Sequence, residues 1–404
     1  MRIIPLEIRN SANAVHFFSR ISASQVGVGI LVPKSIHLVF SIEDISSWEA
    51  NVIKQHLLSL GSDCAIARDA LIKKIKTSIV IFGSLTQLRR LCQKLHDQPF
   101  NLKKIAAQLT VCLDNCLRDR VTLSIRGTTL TIKKPIICGI INLTSDSFSG
   151  DGLLKDLTGV SVQDEALTQA REMVEQGATM LDIGAESSRP GSLPVPEKEE
   201  RARLLPILRL LRREFKKVLI SVDTYKYTVA RAAIEEGVDI INDITGLRHA
   251  PGIAKLISRY KTGCVLMHMK GRPRSMQRAP RYKDVIADVA DFFTERIAFC
   301  ENSGIRSEQL ILDPGIGFGK RVEDNLRLIN ELSAFKKFGR PIFIGISRKS
   351  FIGNILGIPV SERLSGALAA TVLAVAAGAR IVRVHDVHET VQATRIFSAI
   401  TNAQ

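Results

Sequence analysis

From about residue 131 to the C-terminus the chain alternates between two hydrophobic patterns. Short, continuously apolar runs fall at 136–141, 179–183, 218–222, 238–241, 264–267, 310–312, 342–346 and 381–384. Each is bounded by turn residues, which suits strands buried on both faces rather than strands with one wet face. Between them lie longer stretches with apolar residues at helical spacing: 163–176, 197–215, 228–236, 287–302, 322–335, 362–377 and 388–401. The fourth helix of the series, around 251–260, carries the weakest signal. Gly177, Gly237, Gly304 and Gly378 follow helical stretches, where a left-handed C-cap is favoured. Eight strand–helix repeats within roughly 270 residues predict an α/β fold, a (β/α)8 barrel of the TIM type rather than an open doubly wound sheet.

Just upstream, 121–125 and 129–132 flank Arg126-Gly127-Thr128 and read as a β-hairpin, placed to cover the bottom of the barrel. Residues 1–118 mix a strand-like run at 78–82 with helical patterns at 85–94 and 102–117. The segment 57–66, followed by 77–82, suggests a small α/β unit. It shows no phosphate loop, metal cluster or catalytic pattern. The expected organisation is therefore an accessory α/β domain over 1–118, serving docking or assembly, and a barrel over 119–404.

At 404 residues, 45% hydrophobic and 24% charged, the chain can bury a large core, which excludes disorder as the default. Its formal net charge of +16 favours anionic partners, with phosphate-bearing substrates, nucleic acid and membrane surfaces all compatible. The basic residues are dispersed and aromatics make up only 5% of the chain, so a nucleic-acid groove with interleaved stacking rings is not expected. From charge alone, a solvated basic surface with no partner is the favoured reading. Seven scattered cysteines, at 64, 92, 112, 116, 138, 264 and 300, form no paired CxxC motif. An odd, unpaired set argues against a disulfide framework and against structural zinc. The first eleven residues lack the apolar core of a signal peptide, and no run of about 18 uncharged apolar residues could span a bilayer. The expectation is a cytoplasmic protein with no membrane partner.

In a barrel of this kind the site forms where the strands end, and polar or charged residues stand at all eight ends. They are Asn142; Asp182 and the run 184–191; Ser221 and Asp223; Asn242 and Asp243; His268; the loop 313–320; residues 347–350; and Arg383 with His385 and Asp386. A single Asp or Asn after a strand is as often a helix N-cap, and a lone His is more often structural. The loop 313–320 is glycine-rich but lacks a Walker ending, so a phosphate cradle and a tight glycine turn both remain open. Eight such coincidences on one rim favour a site. Asp223, Asn242 and Asp313 suit a flat heterocycle rich in N–H donors and carbonyl acceptors. Arg383 can stack on such a ring and still reach an anion. Arg189, Lys349, Arg383 and His385 supply positive charge, and Asn142 with a first-loop carboxylate could hold a hard divalent metal.

The runs GIINLTSDSF (139–148), GAESSRPG (184–191), SVDTYK (221–226), IINDITG (240–246), LMHMKGRPRSM (266–276), 313–320, SRKSFIG (347–353) and RVHD (383–386) together resemble the dihydropteroate synthases. The resemblance covers about 123–396, and eight motifs in order make it specific although each alone is weak. It implies condensation of 6-hydroxymethyl-7,8-dihydropterin diphosphate with p-aminobenzoate to dihydropteroate and pyrophosphate, a step of folate biosynthesis. It further implies that Asp223, Asn242, Asp313 and Lys349 hold the pterin under Arg383, with Asp313, Lys349 and Asp223 as the catalytic candidates. Asn142, Ser188, Arg383 and His385 would handle the diphosphate, with Asn142 a ligand to Mg2+. Arg189, Pro190, Phe318, Ser347, Lys349 and Ser350 would border p-aminobenzoate, which makes the protein an expected sulfonamide target. Barrels of this family are commonly homodimers.

Several positions depart from the family pattern. Ser145 stands where Pro is usual, Ala185 where a second Gly is usual, and Ser188 replaces Thr while keeping the hydroxyl. The first loop reads Ser149-Gly150-Asp151-Gly152, with its carboxylate shifted by one position, so either Asp146 or Asp151 could approach the metal. The alternative is a related barrel, the methyltetrahydrofolate:corrinoid methyltransferases. These would share Asp223 and Asn242 but are not expected to carry the Arg189-Pro190 loop together with residues 347–350.

Overall fold

A computed structural model describes the chain apart from residues 100, 119, 145–161, 188–191, 272, 274 and 404, and divides it into two compact units, Met1–Leu117 and Arg118–Asn402. The first unit holds three antiparallel strands, β1 (His37–Ser46), β2 (Asp63–Ile66) and β3 (Lys76–Ser84), in the order β1-β3-β2. Along β3 the side chains alternate with period two. Thr77, Ile79 and Ile81 are buried, whereas Ser78, Val80 and Phe82 are exposed. The buried face shares a core with Ile53, Leu57, Leu88, Leu91, Leu102 and Leu113, from helices Ser47–Ser59, Leu85–His96 and Leu102–Cys116. Capping boxes, Ser46 with Glu49 and Ser84 with Gln87, start the first two of these helices. Helices Ser11–Arg20 and Gln25–Ser35 precede the sheet.

In the second unit a hairpin, β4 (Val121–Ile125) and β5 (Thr128–Ile132), leads into eight parallel strands. These are β6 (Ile136–Asn142), β7 (Met180–Gly184), β8 (Leu219–Asp223), β9 (Ile240–Asp243), β10 (Gly263–Met267), β11 (Leu310–Asp313), β12 (Ile342–Gly345) and β13 (Ala379–Val384). They close into a barrel, each strand paired with its sequence neighbours and β13 with β6. The (β/α)8 expectation holds. Leu123, Ile125 and Ile132 of the hairpin join the barrel interior with Ile136, Cys138, Met180, Val265, Phe343 and Ile381. Arg126 fastens the hairpin to the end where the strands begin, donating to the carbonyls of Ile234 at 2.7 Å and Val238 at 2.9 Å. At the opposite end, where the strands finish, the described residues line a cavity.

Two helices differ from the expected pattern. The stretch 322–335 is α-helical only over Val322–Asn330 and continues as a 3-10 segment, Leu332–Phe338, ended by Gly339 at φ +64°. Leu332 and Phe335 remain buried, so the apolar spacing persists while the hydrogen bonding changes. A short helix, Ser350–Leu356, also precedes Leu364–Ala376 and is too brief to show a period of its own. None of the seven cysteines is in a disulfide, and among the described residues no helix is long and apolar enough to cross a membrane.

Candidate active site

Parallel strands in register deliver their last residues side by side, and here those residues carry the chemistry. Asn142 ends β6, Asp223 ends β8 opposite Asn242 of β9, Asp313 ends β11 and Arg383 lies near the end of β13. All five line one cavity of about 250 Å³ at the open mouth of the barrel. Phe318, Ser347, Lys349, Ser350 and His385 reach the same cavity from the loops that follow β11, β12 and β13. Ile140, Ile244, Met267, Ile316 and Phe343 form its apolar part. Ser188, Arg189 and Pro190, and both first-loop carboxylates, Asp146 and Asp151, lie outside the described residues.

The floor is an ionic cluster. Arg383 Nε donates to Asp182 Oδ2 at 2.6 Å, and its Nη2 stands 3.6 Å from Asp223 Oδ2. Asn242 Nδ2 donates to the same Asp182 oxygen at 3.1 Å. Asp182 is fully buried and holds Arg383 and Asn242 in place, a function the strand-end reading did not assign to it. Its signal was visible in retrospect, as a carboxylate in the middle of an otherwise apolar buried strand. With one guanidinium between two carboxylates, burial and then the neighbouring Asp182 push Asp223 up to about 8, against the pull of Arg383. Asp182 Oδ1 and Asn242 Oδ1 are buried acceptors without a protein partner among the described residues. Buried acceptors are rarely left so, and a ligand with N–H donors would complete them.

Asp313 and Lys349 line the same cavity and act on each other electrostatically. Asp313 Oδ1 accepts from the Gly315 N–H at 2.7 Å, while burial pushes the carboxyl up to about 6. Lys349 Nζ sits 4.3 Å from the centre of the Phe318 ring, and burial together with Arg383 pushes the ammonium down to about 8. Ser347 Oγ lies 3.0 Å from His385 Nδ1 and donates to Asp386 Oδ2 at 3.4 Å, while Arg348 binds Asp386 at 2.6 Å. That network fixes the loops after β12 and β13 against each other.

The loop 313–320 is a tight glycine turn and not a phosphate cradle. The Gly317 N–H is taken by Asn325 Oδ1 at 2.7 Å and the Phe318 N–H by the Gly315 carbonyl. Lys320 points inward, donating to the carbonyls of Gly315 at 2.9 Å and Phe318 at 3.1 Å. At Gly315, φ +69°, an added Cβ would stand 2.0 Å from the His268 carbonyl, so only glycine lets the loop lie against residues 268–270.

The arrangement therefore offers acceptors at the base for a flat, N–H-rich ring, a guanidinium beside it, and Lys349, His385 and Asn142 at the mouth for an anion. Comparison with known proteins agrees with that chemistry. A family model described as "Pterin binding enzyme" matches residues 138–385. The dihydropteroate synthase of Escherichia coli K12 is 44% identical over 279 residues, which cover 69% of this chain and 96% of that protein. Among solved structures, the Yersinia pestis dihydropteroate synthase in a sulfonamide drug complex matches with 41% identity and a TM-score of 0.66, over 70% of this chain and 100% of that one. The Xanthomonas albilineans dihydropteroate synthase with 4-aminobenzoic acid matches with 37% identity and a TM-score of 0.64, over 70% and 100%.

Proposed function

The chain belongs to the pterin-binding enzymes, as a dihydropteroate synthase, and from that premise we propose how its own residues carry the reaction. It is a transferase of folate biosynthesis that joins 6-hydroxymethyl-7,8-dihydropterin diphosphate to p-aminobenzoate and releases pyrophosphate. The observation that carries the site assignment is the pair of orphaned buried acceptors, Asp182 Oδ1 and Asn242 Oδ1, beside Asp223 and Arg383. The pterin lies on this base, its N–H groups donating to Asn242, Asp223 and Asp313, with Arg383 stacked on the ring and Lys349 orienting it. The diphosphate lies at Asn142, Ser188, Arg383 and His385. p-Aminobenzoate is bordered by Phe318, Ser347, Lys349 and Ser350, and by Arg189 and Pro190 as the family resemblance implies.

The substitution is dissociative. The bond between the pterin methylene carbon and the diphosphate oxygen breaks, and its electron pair leaves with pyrophosphate. The dihydropterin ring delocalises the resulting cation, which the Asp313 carboxylate stabilises. The arylamine nitrogen then forms the new C–N bond and gives up a proton, which needs no strong general base. The Asn142 amide oxygen, at the mouth where the diphosphate would lie, suits Mg2+, which takes few protein ligands and completes its shell with phosphate oxygens and water. When bound, Mg2+ supplies neutralisation of leaving-group charge.

A sulfonamide, sharing the arylamine and an acidic group with p-aminobenzoate, should raise the apparent KM for p-aminobenzoate without lowering kcat. Inhibition that p-aminobenzoate cannot reverse would remove the second-substrate assignment. We place the enzyme in the cytoplasm on its seven cysteines, none of them in a disulfide. We also assign it a homodimer through Leu373, Ile396 and Ile400, 63%, 63% and 67% exposed on the last two helices. A single-chain mass in sedimentation equilibrium would overturn the dimer. Residues 1–117, outside the matched family region, serve as an accessory domain for docking or assembly.

A further inference from the structure

Lys320 closes the loop 313–320 yet stands outside the cavity that Asp313, Gly317 and Phe318 line. Its side chain points inward, and the residue is only 3% exposed. There the ammonium meets four acceptors. They are the carbonyls of Gly315 at 2.9 Å, Phe318 at 3.1 Å and His268 at 3.3 Å, and His268 Nδ1 at 3.0 Å. An ammonium has three protons and no lone pair, so the imidazole nitrogen can only accept from it. Burial, and next the charge of Lys320, push His268 down to about 2, which keeps the ring neutral and able to accept. Two other carbonyls of the turn are taken by the loop after β10, Gly317 by Gln277 Nε2 at 2.5 Å and Gly319 by the Tyr282 hydroxyl at 2.8 Å.

Converging carbonyls make a place for a cation, and an apolar side chain there would leave buried acceptors unpaired. One ammonium thus ties residues 315 and 318 of the turn to the residue that follows β10. Gly315 supplies the N–H that Asp313 accepts, and Phe318 supplies the ring against which Lys349 lies. The same charge acts on Asp313 itself. Burial pushes that carboxyl up to about 6, while the Gly315 N–H and then Lys349, Lys320 and Arg383 pull it back. Burial pushes Lys320 down to about 7 against the pull of Asp313 and Asp324, with Lys349 and Lys270 adding to the fall. The ammonium therefore still holds its proton at the pH where Asp313 loses its own.

We propose that Lys320 is a positioning residue of the condensation, fixing the turn 315–318 and standing as a buried counter-charge behind Asp313. The proposal rests on the assignment of Asp313 to stabilising the pterin cation. From outside the cavity Lys320 acts on that cation through Asp313, and on p-aminobenzoate through Phe318. Displacements of about 1 Å in a substrate-positioning loop cost up to about a hundredfold in rate.

The test measures turnover against pH for the full-length wild type, Lys320→Met, Tyr282→Phe and Asp313→Asn. In Lys320→Met the acid limb should move up by about one pH unit, since a carboxyl that loses a nearby positive charge ionises at higher pH. On the plateau kcat should fall about tenfold and the KM for p-aminobenzoate should rise about threefold, because a loosened turn misplaces both groups. Tyr282→Phe frees the Gly319 carbonyl without changing any charge, so its limb should stay where Asp313 titrates, at about 6. Should Lys320→Met fail to fold, Lys320→Gln keeps N–H donors for the carbonyls without the charge, and should show the same shift with a smaller rise in KM. A limb unmoved in a folded Lys320 variant but abolished in Asp313→Asn overturns the proposal and leaves Asp313 its role. A limb that moves equally in Tyr282→Phe reduces the shift to turn geometry and overturns the counter-charge. A limb that persists in Asp313→Asn overturns the Asp313 assignment, and the counter-charge with it.

Discussion

Replacing Lys349 by alanine should lower kcat/KM for the condensation by about a thousandfold, the upper end for loss of a donor in a site of this kind. Lys349 caps helix Ser350–Leu356 and extends over the Phe318 ring, 4.3 Å away, into the cavity that Asp313 and Arg383 also line. Gly317, at φ +82°, makes room, since a Cβ there would lie 3.3 Å from Lys349 Cδ. Truncation removes the donor proposed to orient the pterin and takes from the Asp313 carboxylate the largest of three favourable charges, leaving Lys320 and Arg383. Both kcat and pterin affinity should therefore fall, read by pyrophosphate release and by calorimetric titration. Burial and Arg383 push the ammonium down to about 8, so wild-type activity should also decline as pH rises through that value and Lys349 loses its proton. A variant within tenfold of wild type would show that Lys349 orients nothing.

Asp313→Asn is expected to separate chemistry from binding. The amide keeps the size and can still accept from the Gly315 N–H, now made at 2.7 Å to the carboxylate. It cannot stabilise a cation as a charge does, so kcat should drop about a hundredfold while the pterin dissociation constant moves less than about threefold. The pH profile gives an independent reading. Burial raises Asp313 to about 6, so the carboxylate forms above that pH and is lost below it. Wild-type turnover should fall with acid through about pH 6, and the variant should lack that limb. Near-normal turnover in Asp313→Asn would mean that its charge does not serve the transition state.

The barrel was legible because strands buried on both faces leave uninterrupted apolar runs. The run at 342–346 and the strand Ile342–Gly345 differ by one residue. The first unit was less legible. In β1 the register shifts between Ile42 and Ile45, and Glu43 and Asp44 at the bulge break the alternation that marks a strand. Helix Gln25–Ser35 contains two glycines and Pro33, which local propensity reads as loop. In the site, strand-end residues could be found because topology alone brings them together. Asp182 was seen at a strand end but its partners, Arg383 and Asn242, come from 201 and 60 positions away. The ion pairs of Lys226 with Glu186 and Glu200 were hidden for the same reason, since only folding brings these residues within 2.5 Å.

The most direct test of the central claim is pyrophosphate release by the purified full-length protein, with dihydropterin diphosphate, Mg2+ and p-aminobenzoate each omitted in turn. Release, with dihydropteroate formed in equal amount, is expected only when all three are present. Pterin that binds without any p-aminobenzoate-dependent release would contradict it.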